Sequence, residues 1–481
     1  MLSLTTFLTE SYSVVNAVRS VSNFDKSISN FLSFASREDG GTEEFSMIAG
    51  RTRVKKEHLY DDGKIKLLKF AAVYGANAAG KSNLVKALDF MKHVIVSGMP
   101  DGHTEKYCKV DPDNVMKPSY FELEILLGGK YYSYGFEIIL SQSRFISEWL
   151  VELRSDNSEK ILFTRNIVDG EYELAGILAR KGLKEKLNVY ADDIRGDSSV
   201  LFLSVMNQNK KNLYENHKTA SVLKDVFLWI KDSLDINYPD QPVSDYSYLA
   251  RADKVNEVCR IISAFGTGIT DFELVDVPIE KVLNGLPKSL QDRIMSNIEH
   301  KQVEIRNSHQ IKGIDMILRT RVELFIITID ASDAVKCQTI EFCHGRKNVL
   351  FDLGEESDGT IRILDLLEIL LSGEGKTYVI DELDRCLHPS LSYKFVETFL
   401  NIAAGKNIQL IVTTHESRLM DFDLLRRDEI WFIEKKENGE SDIYSLEEYN
   451  ARFDQKIDKA YLEGRYGGVP IFSTIFPVER A

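Results

Sequence analysis

The stretch Tyr74-Gly75-Ala76-Asn77-Ala78-Ala79-Gly80-Lys81-Ser82-Asn83 constrains this chain more than any other. An apolar segment, 67–73, leads into it, and residues 82–93 follow with apolar side chains at helical spacing. Gly75 and Gly80 free the backbone to wrap a phosphate chain, so that N–H groups and a helix N-terminus face the negative charge. Lys81 is placed to reach β- and γ-phosphates, and the Ser82 hydroxyl to complete a Mg²⁺ shell. An ordinary glycine-rich turn would not need this strand–loop–helix setting. The stretch reads as a nucleotide-binding P-loop.

At 481 residues the chain is too long for one simple core, which predicts two or three domains. A net charge of −14 argues against coating nucleic acid by bulk attraction, while leaving room for a local basic groove. Cys108, Cys259, Cys337, Cys343 and Cys386 are odd in number and scattered, without a C-x-x-C pair. Neither a disulfide framework nor a zinc site is expected, and a reducing cytoplasm is the natural compartment. No apolar run approaches the ~18–20 residues that would span a membrane. The N-terminus lacks a basic region followed by an apolar core, so no signal peptide is expected.

Residues 1–24 form a weakly amphipathic extension. Segments 28–34 and 45–49 predict two strands of a β-subdomain, with the turn at Gly40-Gly41. Alternation in 120–125, a Gly128-Gly129 turn and a return over 131–140 predict a hairpin, within a β-region spanning 118–164. Residues 180–320 are rich in Lys, Glu, Asp, Leu and Asn, with helical spacing in 222–234, 255–265 and 290–305. Heptads are not sustained, so this reads as a helical insert rather than a long coiled coil. The expected organisation is an extension 1–24, a first lobe 25–179, a helical insert 180–320 and a second lobe 321–481.

The second lobe brings further chemistry. The apolar strand 377–380 ends in Asp381-Glu382. Opposite a phosphate loop, Asp381 would hold Mg²⁺ through water and Glu382 would polarise the attacking water as general base. Alone, such a strand end is usually just solvated. Here a P-loop precedes it and a second apolar strand, 408–413, follows, tipped by Thr414-His415. Strand C-terminal ends gather ligand-binding residues in α/β sheets, and His415 there can hydrogen-bond a γ-phosphate. Glu356-Ser357-Asp358-Gly359-Thr360 opens an apolar helix. It has two readings, a phosphate-binding helix start or a plain cap by Ser357 or Asp358. The order of the motifs favours the first.

That order resembles the ABC/SMC-like ATPase clan. More narrowly it is similar to stand-alone AAA-type ATP-binding proteins of bacterial abortive infection and phage defence, such as RloA-like proteins and the AriA ATPase of the PARIS system. The narrower resemblance is carried by Asn30-Phe31-Leu32-Ser33-Phe34, the P-loop, Glu356 to Thr360, Asp381-Glu382-Leu383-Asp384 with Leu387-His388-Pro389, Thr413-Thr414-His415-Glu416, and 461–470. It covers roughly residues 25–165 and 320–470. It implies an α/β fold: a P-loop NTPase with an ABC-type head, comprising a β-subdomain and a parallel core sheet, plus a helical insertion. It also implies ATP and Mg²⁺, with the nucleotide sandwiched in a homodimer or higher homo-oligomer. Lys81, Ser82, Asp381, Glu382 and His415 would act in cis, Ser357 and Gly359 in trans, and Asp384 would lie in the dimer-facing loop. The implied partners are a nuclease-like effector encoded nearby and a phage protein or DNA as trigger, with no membrane. Two features depart from the pattern. The signature lacks its first glycine, and the Mg²⁺-contacting glutamine has only Gln142 and Gln208 as candidates.

Three other roles fit less well. A nuclease resembling the overcoming-lysogenization-defect proteins needs a C-terminal Toprim domain, and 66 residues after His415 are too few. An SMC-type DNA-repair ATPase needs long heptad arms. A transporter's nucleotide-binding subunit would not carry so large an insert. An ATPase that switches or scaffolds a defence effector is the expectation.

Overall fold

The computed structural model describes residues 27–36, 43–61, 63, 65–154, 158–239, 255–284, 286–307, 313–319, 323–330, 332–345, 349–371, 375–449 and 457–468. The expected extension 1–24 and the Gly40-Gly41 turn lie outside them. The chain divides into two compact units, one of residues 1–237, 373–384 and 395–481, the other of 238–372 and 385–394.

The first unit is built on a six-stranded sheet in the order Leu234–Asn237, Lys376–Ile380, Ile408–Thr413, Phe70–Tyr74, Ile430–Lys435, Ser441–Ser445. The first five strands run parallel, and the last returns antiparallel. Phe70–Tyr74 and Ile408–Thr413 are buried along their whole length, as continuous apolar runs in a sheet covered on both faces should be. Their C-terminal ends lie side by side, since Thr413 pairs with Val73. The last two strands form a hairpin whose turn holds Asn438-Gly439, with Gly439 at φ +92°.

A five-stranded antiparallel sheet belongs to the same unit, with Ser119–Leu127, Lys130–Ile139, Arg144–Leu153, Glu159–Asn166 and Glu171–Leu174 in sequential order. Gly128 (φ +59°) and Gly129 (φ +75°) supply the pair of positive φ angles that a tight two-residue hairpin demands. In mid-sheet Gly135 faces Trp149, whose ring lies over the missing side chain and against Tyr120 at 4.6 Å.

Two expectations are corrected. Over 28–34 only Ser27–Ile28 is a strand, paired with Glu43–Glu44. The expected partner over 45–49 is not a strand of its own but bonds to residues 66–68, through the Ile48–Leu67 bridge and backbone bonds from Ala49 N–H to the Lys66 carbonyl (2.8 Å) and from Leu68 N–H to the Met47 carbonyl (2.7 Å). Residues 30–34 form a tight turn instead, with Asn30 at φ +50° and Leu32 at φ +54°, closed by paired Phe31 and Phe34 backbone bonds of 3.0 and 2.9 Å. The side chain of Asn30 replaces ladder bonds: its amide donates to the carbonyls of Asn114 and Lys117, and its oxygen accepts the Cys108 N–H. Asparagine tolerates left-handed backbone for this reason.

The stretch 180–320 is likewise not one helical body. Leu183–Asp193, Phe202–Met206, Lys211–Asn216 and Ser221–Leu228 are helices of the first unit, and Leu234–Asn237 joins its core sheet beside Lys376–Ile380. The second unit carries the helices Val255–Ala264, Ile279–Leu283, Lys288–Asn307 and Asp358–Leu371 around an antiparallel sheet. The sheet runs Ile269–Asp276, Val335–His344, Leu324–Asp330, Gly313–Arg319, with Leu350–Asp352 added to Val335–His344. Its core packs Ile294, Ile298 and Ile305 of the long helix against Phe325, Ile327 and Ile329. Ile269–Asp276 escapes sequence patterning because it is an edge strand, with only Ile269 and Phe272 buried among charged neighbours.

Gly135 gives a direct test of the antiparallel sheet. An added methyl would sit 2.3 Å from Trp149 Cζ2 and 2.7 Å from the Phe121 carbonyl oxygen. Gly135→Ala should therefore destabilise the first unit by about 1–3 kcal/mol. Urea unfolding followed by Trp fluorescence measures it, and an unchanged midpoint would show that Trp149 does not cover this position.

Candidate functional site

The loop 75–80 leaves the buried strand Phe70–Tyr74 and enters the helix Lys81–Ser97. Ala78 (φ +63°) and Gly80 (φ +121°) take left-handed or more extreme backbone, so the loop curls in front of the helix start. No side chain caps that start. Among the described residues, the N–H groups of Asn77, Ala78, Gly80, Lys81 and Ser82 take no backbone acceptor. Lys81 is buried, and its ammonium donates to the carbonyls of Gly75 (2.8 Å) and Ala76 (3.2 Å). Burial pulls its pKa down to about 8, while the charges of Asp381, Asp384 and Glu382 work the other way. A buried cation whose direct partners are neutral carbonyls, beside a loop whose N–H groups take no backbone acceptor, fits a phosphate.

The loop rests on residues that sequence reasoning did not single out for this. Ser441 Oγ donates to the Ala79 carbonyl at 2.5 Å and pairs with the Ser33 hydroxyl at 2.7 Å, and Asn83 Nδ2 donates to Ser33 Oγ at 2.8 Å. A methyl on Gly80 would lie 2.6 Å from Ser441 Oγ and 2.9 Å from Ser33 Oγ, so Gly80 is required by packing as well as by φ. The only signal in the sequence was that Ser33 falls in one of the motifs behind the family resemblance.

Opposite the loop, Asp381 is buried at the end of Lys376–Ile380, with its N–H held by the Asn237 carbonyl at 2.9 Å. Thr413, at the end of the neighbouring strand, donates from Oγ1 to Asp381 Oδ1 at 2.6 Å. The same hydroxyl accepts the Glu382 N–H at 2.8 Å, and the Thr413 carbonyl accepts the Leu383 N–H at 3.0 Å. Glu382 is thereby fixed at φ +52°, a left-handed conformation that a glutamate adopts only when its surroundings impose it. Asp384 Oδ1 accepts from Thr414 Oγ1 (2.6 Å) and from the His415 N–H (3.2 Å), tying the His415 backbone to the Asp-Glu loop. Although His415 is exposed as a residue, desolvation of its ring and then the Lys81 charge lower its pKa. Asp384, Glu382 and Asp381 oppose that shift. Lys81, Asp381, Glu382 and His415 thus stand within electrostatic reach of one another, with Ser82 half-buried beside Lys81. The oxygens of Ser82 and Asp381 are the hard donors that Mg²⁺ takes.

Ser357 and Gly359 belong to the second unit. Ser357 is exposed and caps the helix Asp358–Leu371, its Oγ accepting the Thr360 N–H at 3.1 Å. A methyl on Gly359 would meet the Cys386 carbonyl oxygen at 3.0 Å. Gln142 is exposed between two strands of the antiparallel sheet, its amide 3.6 Å from Met116 Sδ, and Gln208 is exposed after Phe202–Met206.

A family model described as "AAA domain, putative AbiEii toxin, Type IV TA system" matches residues 70–421. No curated protein matches the sequence. Among solved structures the chain is similar to an SMC head bound to the C-winged helix domain of ScpA, at 12% identity over 92% of this chain and 97% of that one, with a TM-score of 0.37. The SMC head domain from Thermotoga maritima gives 15% identity, coverage of 87% and 96%, and a TM-score of 0.32. An Smc head with extended coiled coil, bound to the C-terminal domain of ScpA and derived from Pyrococcus furiosus, gives 15%, 91% and 98%, and 0.34. All three likenesses are distant.

The Thr413 hydroxyl is the joint between the two strand ends. Thr413→Val keeps the shape but strands the Glu382 N–H and removes the donor to Asp381. A loss of about 1–3 kcal/mol in unfolding free energy is expected. Denaturant titration measures it, and a variant as stable as the parent would show that the joint carries no load.

Proposed function

We propose that this chain, which belongs to the AAA-domain family matched over residues 70–421, binds and hydrolyses ATP to control a partner effector in an anti-phage system. The observation that carries the hydrolytic reading is the Thr413 clamp, which fixes Asp381 and forces Glu382 into a left-handed turn within reach of Lys81. In this reading Lys81 and the loop N–H groups bind the phosphates. Ser82 and Asp381 would hold Mg²⁺, which neutralises phosphate charge when bound. Glu382 accepts a proton from the attacking water, and His415 donates a hydrogen bond where the γ-phosphate lies. Ser357 and Gly359 close the site of a second copy, so that ATP joins two heads. The defence role draws on the motifs that resemble abortive-infection ATPases and on a family description that names a toxin of a type IV TA system. The second unit, a separately packed body, is the surface we assign to the effector or trigger.

Glu382→Gln separates binding from hydrolysis. It keeps a similar shape but cannot take the proton, so turnover should fall roughly 10²–10⁴-fold while ATP affinity survives. ATP-dependent dimers should then accumulate in solution sizing, and adding Ser357→Arg should disperse them. Wild-type phosphate release by the Gln variant would remove Glu382 from this role, and dimers insensitive to ATP would remove the sandwich. Cells carrying the chain with its neighbouring genes should resist phage and lose resistance with Glu382→Gln; equal plating with and without the genes would overturn the defence role.

A further inference from the structure

Beyond the strand Ser441–Ser445, the described residues 457–468 return to the phosphate loop. The helix Ile457–Leu462 and the turn that follows bring Tyr461 and Tyr466 onto Phe432, with ring centroids 5.6 and 6.0 Å away and interplanar angles of 23° and 18°. Tyr461 also lies 5.9 Å from the ring of Tyr74, the residue that enters the P-loop. The Tyr461 hydroxyl donates to the Gly468 carbonyl at 3.1 Å, and Tyr444 Oη donates to the Tyr466 carbonyl at 2.6 Å. Burial pushes the Tyr461 phenol up to about 12, with the Gly75 backbone working the other way.

The backbone contacts are equally close. A methyl on Gly468 would lie 3.4 Å from Gly75 Cα, one on Gly75 only 2.4 Å from the Ile433 carbonyl oxygen, and one on Gly467 2.4 Å from Tyr444 Oη. Gly467 (φ +69°) and Gly468 (φ +67°) are both left-handed. Glycines therefore face each other where the segment crosses the loop. The hydroxyls of Tyr74 and Tyr466 are buried without a hydrogen-bond partner, so the cluster's polar ties to the segment come from the Tyr461 and Tyr444 hydroxyls.

We infer that residues 461–468 are a strap that sets the position of Gly75, and that Tyr461 is a positioning residue for phosphate binding; this rests on the nucleotide reading of the loop. The strap acts before any nucleotide arrives, by fixing where the loop begins to curl.

Tyr461→Phe tests it, because the ring stays on Phe432 and only the hydroxyl is lost. Amide hydrogen exchange over residues 70–80, measured without nucleotide, should become faster in the variant. The Kd for Mg·ATP should rise roughly five-fold, the worth of one hydrogen bond, with kcat at saturating ATP within about two-fold of the parent. Leu462→Ala, at an exposed neighbour on the same helix, should move neither value. Unchanged exchange together with an unchanged Kd overturns the strap, as does a variant that loses stability alone. If the parent chain binds no ATP, the nucleotide reading fails instead, and the exchange rate still decides whether Tyr461 holds the loop.

Discussion

One hydroxyl, that of Thr413, joins the two strand ends on which the rest of the site depends. It donates to Asp381 and accepts from the Glu382 N–H, both on the adjacent strand end. Register makes this possible: Ile380 pairs with Val412 and Thr413 with Val73, so the P-loop strand, the histidine-tipped strand and the Asp-Glu strand end together. Once they do, the loop after Tyr74 and the carboxylates after Ile380 lie at one edge of the sheet. Edges of this kind are where open α/β sheets place their ligands.

The loop is held from several sides. Ser33 and Ser441 fix the turn at Ala79 and Gly80, Lys81 pins the carbonyls of Gly75 and Ala76, and Gly468 lies against Gly75. A phosphate site needs such support, since N–H groups bind an anion well only if they already point at it. The loop itself has few side chains with which to order itself.

Much of this was legible in the sequence. The loop, the Asp-Glu strand, the histidine strand and the Gly128-Gly129 hairpin each carry a local pattern, read from spacing and turn chemistry. What was not legible was long-range. Ser33 and Ser441 are 408 positions apart, and the bond from Thr413 to Asp381 spans 32. The turn at 30–34 was misread as a strand because its apolar residues are buried in a coil closed by the Asn30 side chain. The unit boundary falls later than patterning placed it, since the helices up to Leu228 belong to the same unit as the core sheet and Leu234–Asn237 then completes its edge. Helical spacing tells that a segment is helical, not which core it covers.

The central claim is that a buried lysine in a preformed loop binds the phosphates of ATP. Calorimetric titration of the purified chain with Mg·ATP, in parallel with Lys81→Ala, tests it most directly. Binding of one nucleotide per chain, abolished in Lys81→Ala while both proteins unfold at similar denaturant concentrations, is the predicted result. Equal affinity in the two proteins would contradict it, because a phosphate bound without its main counter-charge would not be bound in this loop.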